Sequence, residues 1–337
     1  MKSTEARLLL TTSPFLKQVE DTPTIMRHVI YALLPVAFAG IYYFGISALM
    51  VIVVCVTGAM VTEWLLTRHQ RNTVKDGSAA LTGLLLALVL PPGIPLWIAL
   101  SGSVIAIALG KLLFGGMGGN IFNPALVGRA FLQASFPVAI TTWSPFGDFG
   151  TFATVRGNSF ALPFLKSAAD GVTSATPLSQ MKFEGKIAQA SDLFFGNDTG
   201  SIGETSALII LLGGLYLIWR NFMNWRIPVS IFLTVFVLSG VLYLISPDKF
   251  APPLFHLFSG GLMLGAVYMA TDPVSSPITQ RGCWIYGAGI GIMVIVIRNF
   301  GGLPEGVMYA ILLMNAATPL INRVTHPKIY GQVKPAK

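Results

Sequence analysis

The stretch from Ser47 to Thr67 reads SALMVIVVCVTGAMVTEWLLT. It carries one formal charge, Glu63, near its end, and is followed by Arg68 and Arg71. About 20 mostly apolar residues are what a helix needs to cross the hydrocarbon core of a bilayer. The same reading, carried outward in both directions, predicts spans near 29–45, 47–67, 78–91, 95–114, 121–139, 204–220, 227–246, 254–271, 283–299 and 305–322. The expected fold is an all-α polytopic membrane protein with about ten transmembrane helices. The third span is short and runs into Leu90-Pro91-Pro92. The fifth contains Asn123-Pro124 and Arg129, which predicts a broken or partly re-entrant segment.

Composition agrees. Of 337 residues, 53% are hydrophobic and 11% charged, against roughly 25% charged in an ordinary soluble domain. That excludes a soluble enzyme, a disordered chain and a nucleic-acid-binding module. The net charge of +8 needs no polyanionic partner, because membrane proteins collect Lys and Arg on their cytoplasmic side. With the N-terminus inside, cytoplasmic segments hold fifteen of the 22 basic residues. Four of the six on the other side fall in one long loop, where the charge rule counts least. Both termini are therefore expected in the cytoplasm, which requires an even number of spans. The first 28 residues lack a signal-peptide apolar region, so the first span is expected to target the membrane itself.

The expected organisation is a cytoplasmic segment 1–28, a first membrane half 29–139, an outer loop 140–203, a second membrane half 204–322 and a cytoplasmic tail 323–337. In a bacterium the outer loop faces the periplasm. The halves echo each other. Leu90-Pro-Pro-Gly-Ile-Pro95 precedes a span that ends in Lys111-Leu-Leu-Phe-Gly-Gly116. Thr271-Asp-Pro-Val-Ser-Ser-Pro277 precedes one that ends in Arg298-Asn-Phe-Gly-Gly302. One Pro turn falls outside and the other inside, the mark of two inverted repeats with interrupted helices.

Charges within or beside spans are costly and are functional candidates by default. Glu63, Lys111, Arg129, Asp272 and Arg298 qualify. Lys111 and Arg298 lie near span ends, where snorkelling to the interface is the simpler reading. Glu63 and Asp272 are the ion-coupling candidates, and Asp272 could equally cap a helix. Trp64, Trp97, Trp219, Trp225 and Trp284 lie near span ends, as interfacial anchors do. Cys55 and Cys283, with four scattered histidines, form no metal motif.

The outer loop contains Asp170-Gly-Val-Thr-Ser-Ala-Thr176, then Pro177-Leu178. By residue type this is a small-residue, exposed stretch with three hydroxyls and one carboxylate, or a plain Gly/Ser/Thr turn. The segment resembles the flavinylation motif of the Rnf and sodium-pumping NADH:quinone reductase family. Phe114-Gly-Gly-Met-Gly-Gly-Asn-Ile-Phe-Asn-Pro-Ala-Leu-Val-Gly-Arg-Ala-Phe131, Asp76-Gly-Ser-Ala79 and Thr271–Pro277 resemble further signatures of that family. The resemblance covers nearly the whole chain. It is nearer to the D subunit of the Rnf complex than to the B subunit of the quinone reductase, which usually has a longer N-terminal region.

The resemblance implies FMN on Thr176 through a phosphoester bond, with Asp170 recognised by the flavin transferase. It also implies a non-covalent riboflavin near the Gly-rich signature, with Asn120, Asn123 and Arg129 as candidate contacts. The two asparagines could instead cap a broken helix. The implied setting is a bacterial cytoplasmic-membrane complex that couples NADH and ferredoxin chemistry to Na+ or H+ movement. Nothing here resembles a dinucleotide site or an iron–sulfur ligand set. Partner subunits, one of them also flavinylated and others holding iron–sulfur centres, would supply these. The competing class is a channel or secondary transporter, to which inverted repeats are native.

Overall fold

The computed structural model describes residues 21–68, 73–144, 152–155, 157–163, 175–196, 199–247 and 249–326. Every regular element among them is helical. In lipid the backbone finds no water, so a helix is the only open-ended way to satisfy it, even for runs rich in Val and Ile. Six segments are long and apolar enough to cross a membrane. They are α1 (Thr22–Phe44), α2 (Ile46–Leu66), α4 (Leu96–Ala108, continued by helical turns to Phe114), α10 (Arg226–Ile245), α13 (Gln280–Phe300) and α14 (Val307–Thr325). The chain is a multi-pass membrane protein.

The other four expected spans are not full-length helices. α3 (Ser78–Leu88) has 11 residues, α5 (Pro124–Ser135) has 12 and α9 (Ala207–Trp219) has 13. At 1.5 Å per residue each reaches about 16–20 Å, short of a hydrocarbon core of about 30 Å. α5 breaks at Phe136 before the short α6 (Pro137–Thr141). The eighth segment is split into α11 (Pro253–Phe258) and α12 (Leu262–Leu264), which runs on into a π-helical turn at Gly265–Met269.

Sequence explains each stop. Pro91 and Pro92 cannot extend α3, and Ser259-Gly260-Gly261 opens the break after α11, with Gly260 at φ 65°. The freed backbone groups are met from elsewhere in the fold. The carbonyls of Leu88 and Leu90 accept from the backbone N–H groups of Gly203 (2.7 Å) and Ile202 (3.1 Å). Those of His256 and Ser259 accept from the two terminal nitrogens of Arg298. The carbonyl of Met269 accepts from Asn123 Nδ2 at 3.1 Å.

Close packing relies on small residues, as expected where lipid supplies no hydrophobic drive between helices. A Cβ on Gly83 of α3 would lie 2.6 Å from the carbonyl oxygen of Cys55 on α2. Successive crossings alternate, so the start of α1 and the ends of α2, α4, α9 and α14 share one face, here the near face. The turns at 89–95 and 301–306 and the described parts of the 142–206 connection share the far face. That connection carries α7 (Pro177–Ser179), a π-helical turn at Gln180–Glu184 and α8 (Ala190–Phe195). Leu178 and Leu193 pack with Ala251 and Phe255, which docks this segment on α11.

Candidate functional site

Thr176 caps α7. Its Oγ1 accepts from the Ser179 N–H (3.3 Å) and shares a hydrogen bond with the Ser179 hydroxyl (2.9 Å). Pro177 occupies the first helical position, where its missing N–H costs nothing. The preceding carbonyl, Ala175 O, accepts from Thr199 Oγ1 and Gln180 Nε2. The expectation of an exposed hydroxyl is corrected here: Thr176 is 4% exposed, because burial of Pro177 and Leu178 draws the motif's end onto the membrane half. Thr176 instead lines a far-face cavity of about 280 Å³, close to the lower end of small-molecule sites at roughly 300 Å³.

The cavity wall brings together Arg129 and Gln133 of α5, Trp143, Phe183, Glu305 and Tyr309. Arg129 is 6% exposed and pairs with Glu305 through Nη2, while its Nε–H has no acceptor among the described residues. Lys182, six residues beyond Thr176, donates to the carbonyls of Arg298 (3.1 Å), Gly301 (2.5 Å) and Leu303 (3.0 Å). It thereby pins the Thr176 segment to the end of α13. Desolvation there lowers the Lys182 ammonium from its ordinary range. Asp170 lies outside the described residues.

A second cavity, of about 80 Å³, lies at the near face and is lined by Ser78, Lys111, Met117, Asn120, Asn123, Tyr268 and Asp272 among others. Asn120, Asn123 and Asp272 thus converge, as candidates for one site should. Arg129 does not join them: it lies six residues beyond Asn123, about 9 Å along the α5 axis, and faces the far cavity. Both ends of the Asn123 amide are used, Oδ1 by the Ala125 N–H (3.0 Å) and Nδ2 by Met269 O. Asp272 accepts from Ser275 Oγ (3.0 Å) and the Val274 N–H (3.4 Å) in a turn before α13. Desolvation raises its carboxyl and those bonds oppose the rise.

Snorkelling is corrected for both basic residues. Lys111 is 3% exposed and Arg298 1%. Lys111 Nζ bonds both oxygens of the fully buried Glu63, at 2.8 and 2.7 Å, and also Ser78 Oγ. Ser78 in turn bonds Asp76, and Thr73 bonds Glu63. Glu63 is therefore the centre of a network that ties α2, α3 and α4. Arg298 stays inside because α11 offers it two carbonyls. Sequence reading missed Lys182, Glu204 and Glu305. The two glutamates had a signal, since each stands at the first residue of an expected span.

The family model described as NQR2, RnfD, RnfE matches residues 9–331. The D subunit of a proton-translocating ferredoxin:NAD(+) oxidoreductase complex from Clostridium ljungdahlii is 43% identical over 334 residues, covering 96% of each chain. The D subunit of a Na(+)-translocating ferredoxin:NAD(+) oxidoreductase complex from Acetobacterium woodii is 43% identical over 336 residues, covering 98% of this chain and 97% of its own. The D subunit of an ion-translocating oxidoreductase complex from Stutzerimonas stutzeri is 44% identical over 327 residues, covering 91% and 92%. The residues that line the two cavities lie inside the matched range, and the chain belongs to the NQR2, RnfD, RnfE family.

Proposed function

We propose that this chain is the D-type membrane subunit of an Rnf-type ion-translocating NADH/ferredoxin oxidoreductase, with FMN attached to Thr176 by a phosphoester. The observation that carries the reading is Thr176 on the wall of a cavity shared with a buried arginine and three aromatic residues. These residues fit a flavin: Oγ1 is the acceptor atom, Trp143, Phe183 and Tyr309 offer apolar faces, and Arg129 brings a buried positive charge to the wall. When bound, FMN supplies one- and two-electron chemistry that no side chain has. The chain's own part is to hold the acceptor threonine rigid, through Ser179 and Lys182, and to keep the cavity in place.

Riboflavin enters the proposal as a second, non-covalent flavin beside the near cavity, with Asn120 and Asn123 of its wall as the proposed contacts. Each amide atom of Asn123 makes one hydrogen bond and keeps a second donor or acceptor position. No step is drawn through it. The proposal places the chain in the bacterial cytoplasmic membrane with both termini inside and 140–203 in the periplasm. The flavin transferase would meet Asp170 and Thr176 there during maturation. Partner subunits supply the iron–sulfur centres, the NADH site and a second covalent flavin. Coupling to Na+ or H+ runs through Asp272 or Glu63.

The test is ferredoxin-dependent NAD reduction and ion uptake in everted vesicles from a host lacking its own complex. Thr176→Ala in an assembled complex should abolish both. Undiminished electron flow in that variant would reduce the chain to a membrane anchor for redox partners.

A further inference from the structure

The far cavity holds more charge than attachment of a flavin requires. Arg129 is nine-tenths buried, uses Nη2 on Glu305, and has no acceptor for Nε–H among the described residues. Gln133, one turn along the same face of α5, lines the same wall. Glu204 stands behind it, its Oε1 also without a partner among the described residues. Gly261 makes this approach possible: a Cβ there would lie 3.0 Å from Glu204 Oε1 and 4.0 Å from Arg129 Nη1. Arg298 completes the set from α13, beside Gly260. Two guanidiniums and two carboxylates balance overall, but they do not share the cavity equally. Arg129 and Glu305 line it, whereas Glu204 and Arg298 do not.

Among the described residues nothing accepts from Arg129 Nε, and that atom is closed to the cavity as well. What Arg129 brings to the cavity wall is its positive charge, with Glu305 beside it.

We propose that Arg129 is a tuning residue for the flavin on Thr176. Its cationic charge on the cavity wall favours the reduced, electron-rich form of the ring system, and Glu305 is the counter-charge that moderates it. The inference rests on the flavin attachment proposed above and adds to it which residue sets the cofactor's potential. The physical rule is that a nearby positive charge stabilises the more negative of two states and a negative charge does the reverse. The two residues therefore make opposite predictions, which a purely structural pair would not.

The experiment uses the full chain, expressed with the flavin transferase and its export route and purified in detergent. Intact mass is read first, then the flavin midpoint potential by spectrophotometric titration with dithionite. In Arg129→Gln the ratio of reduced to oxidised flavin at fixed potential should fall at least tenfold, which for a two-electron couple is about 30 mV. In Glu305→Gln it should rise. Arg129→Lys keeps the charge without the fork and should stay near wild type, and it reads the same quantity should Arg129→Gln fail to fold. With flavin attached, equal potentials in wild type, Arg129→Gln and Glu305→Gln would overturn the tuning role, as would shifts of the same sign. A wild-type chain with no flavin mass would overturn the reading beneath it, and that outcome is visible before any potential is measured.

Discussion

Thr176 is read twice by this fold, once as a cap and once as a cavity wall. The cap bond to Ser179 is worth about 1 kcal/mol, so Thr176→Ala should still fold, with a detergent melting curve close to wild type. That separates chemistry from stability in any test at this position. Glu63 and Lys111 behave differently. Removing one member of a buried ion pair leaves the other charged in a dry site, at a cost of about 3–5 kcal/mol, whereas replacing both by apolar residues is often neutral. Lys111→Met should therefore destabilise strongly, and adding Glu63→Leu should restore most of the loss in thermal unfolding. A double variant no better than the single would show that Glu63 matters for something besides the pair. The motif around Thr176 was legible in sequence. The Glu63 pairing was not, because the two residues are 48 apart and only the packing of α2 on α4 joins them.

Broken helices are the elements on which both cavities depend, and some of their breaks were legible. Pro91 follows a real stop and Asn123-Pro124 opens α5, whereas the break at Gly260-Gly261 falls inside the span expected over 254–271. What caps the freed ends was hidden, since the partners come from distant segments: Arg298 reaches back 42 and 39 residues to α11, and Asn123 reaches 146 residues to Met269. Arg298→Met would leave the His256 and Ser259 carbonyls buried without donors, each costing about 1–3 kcal/mol. A clearly lower melting temperature in detergent is expected, and an unchanged one would mean the break does not need its cation. Lys182 performs the same service for α13. Lys182→Met should speed limited proteolysis within 177–186, while cleavage elsewhere keeps its wild-type rate. Six spans were recognised at full length because length and apolarity suffice to identify them. The short ones were drawn too long because hydropathy cannot see where a helix is cut and replugged by backbone from another segment.

At the scale of the molecule, the Lys and Arg count of the sequence predicts a cytoplasmic near face and Thr176 lies on the far one, so sidedness and chemistry can be tested together. Both native cysteines are fully buried, which gives a low background for thiol labelling. Phe160→Cys, 65% exposed at the far face, should react with a membrane-impermeant maleimide in spheroplasts. Ile278→Cys, 89% exposed at the near face, should react only after permeabilisation. The reverse pattern would invert the topology and put Thr176 on the wrong side for a periplasmic transferase. The central claim is narrower: this membrane protein carries its own redox centre on one threonine. The most direct measurement is in-gel flavin fluorescence with intact mass of the denatured chain, wild type beside Thr176→Ala, expressed with the transferase and its export route. The account predicts a fluorescent wild type heavier by one FMN less water, and a dark, unmodified Thr176→Ala. A dark wild type beside a working transferase control would contradict it, and would leave the interrupted helices and two opposed cavities to an alternating-access transporter.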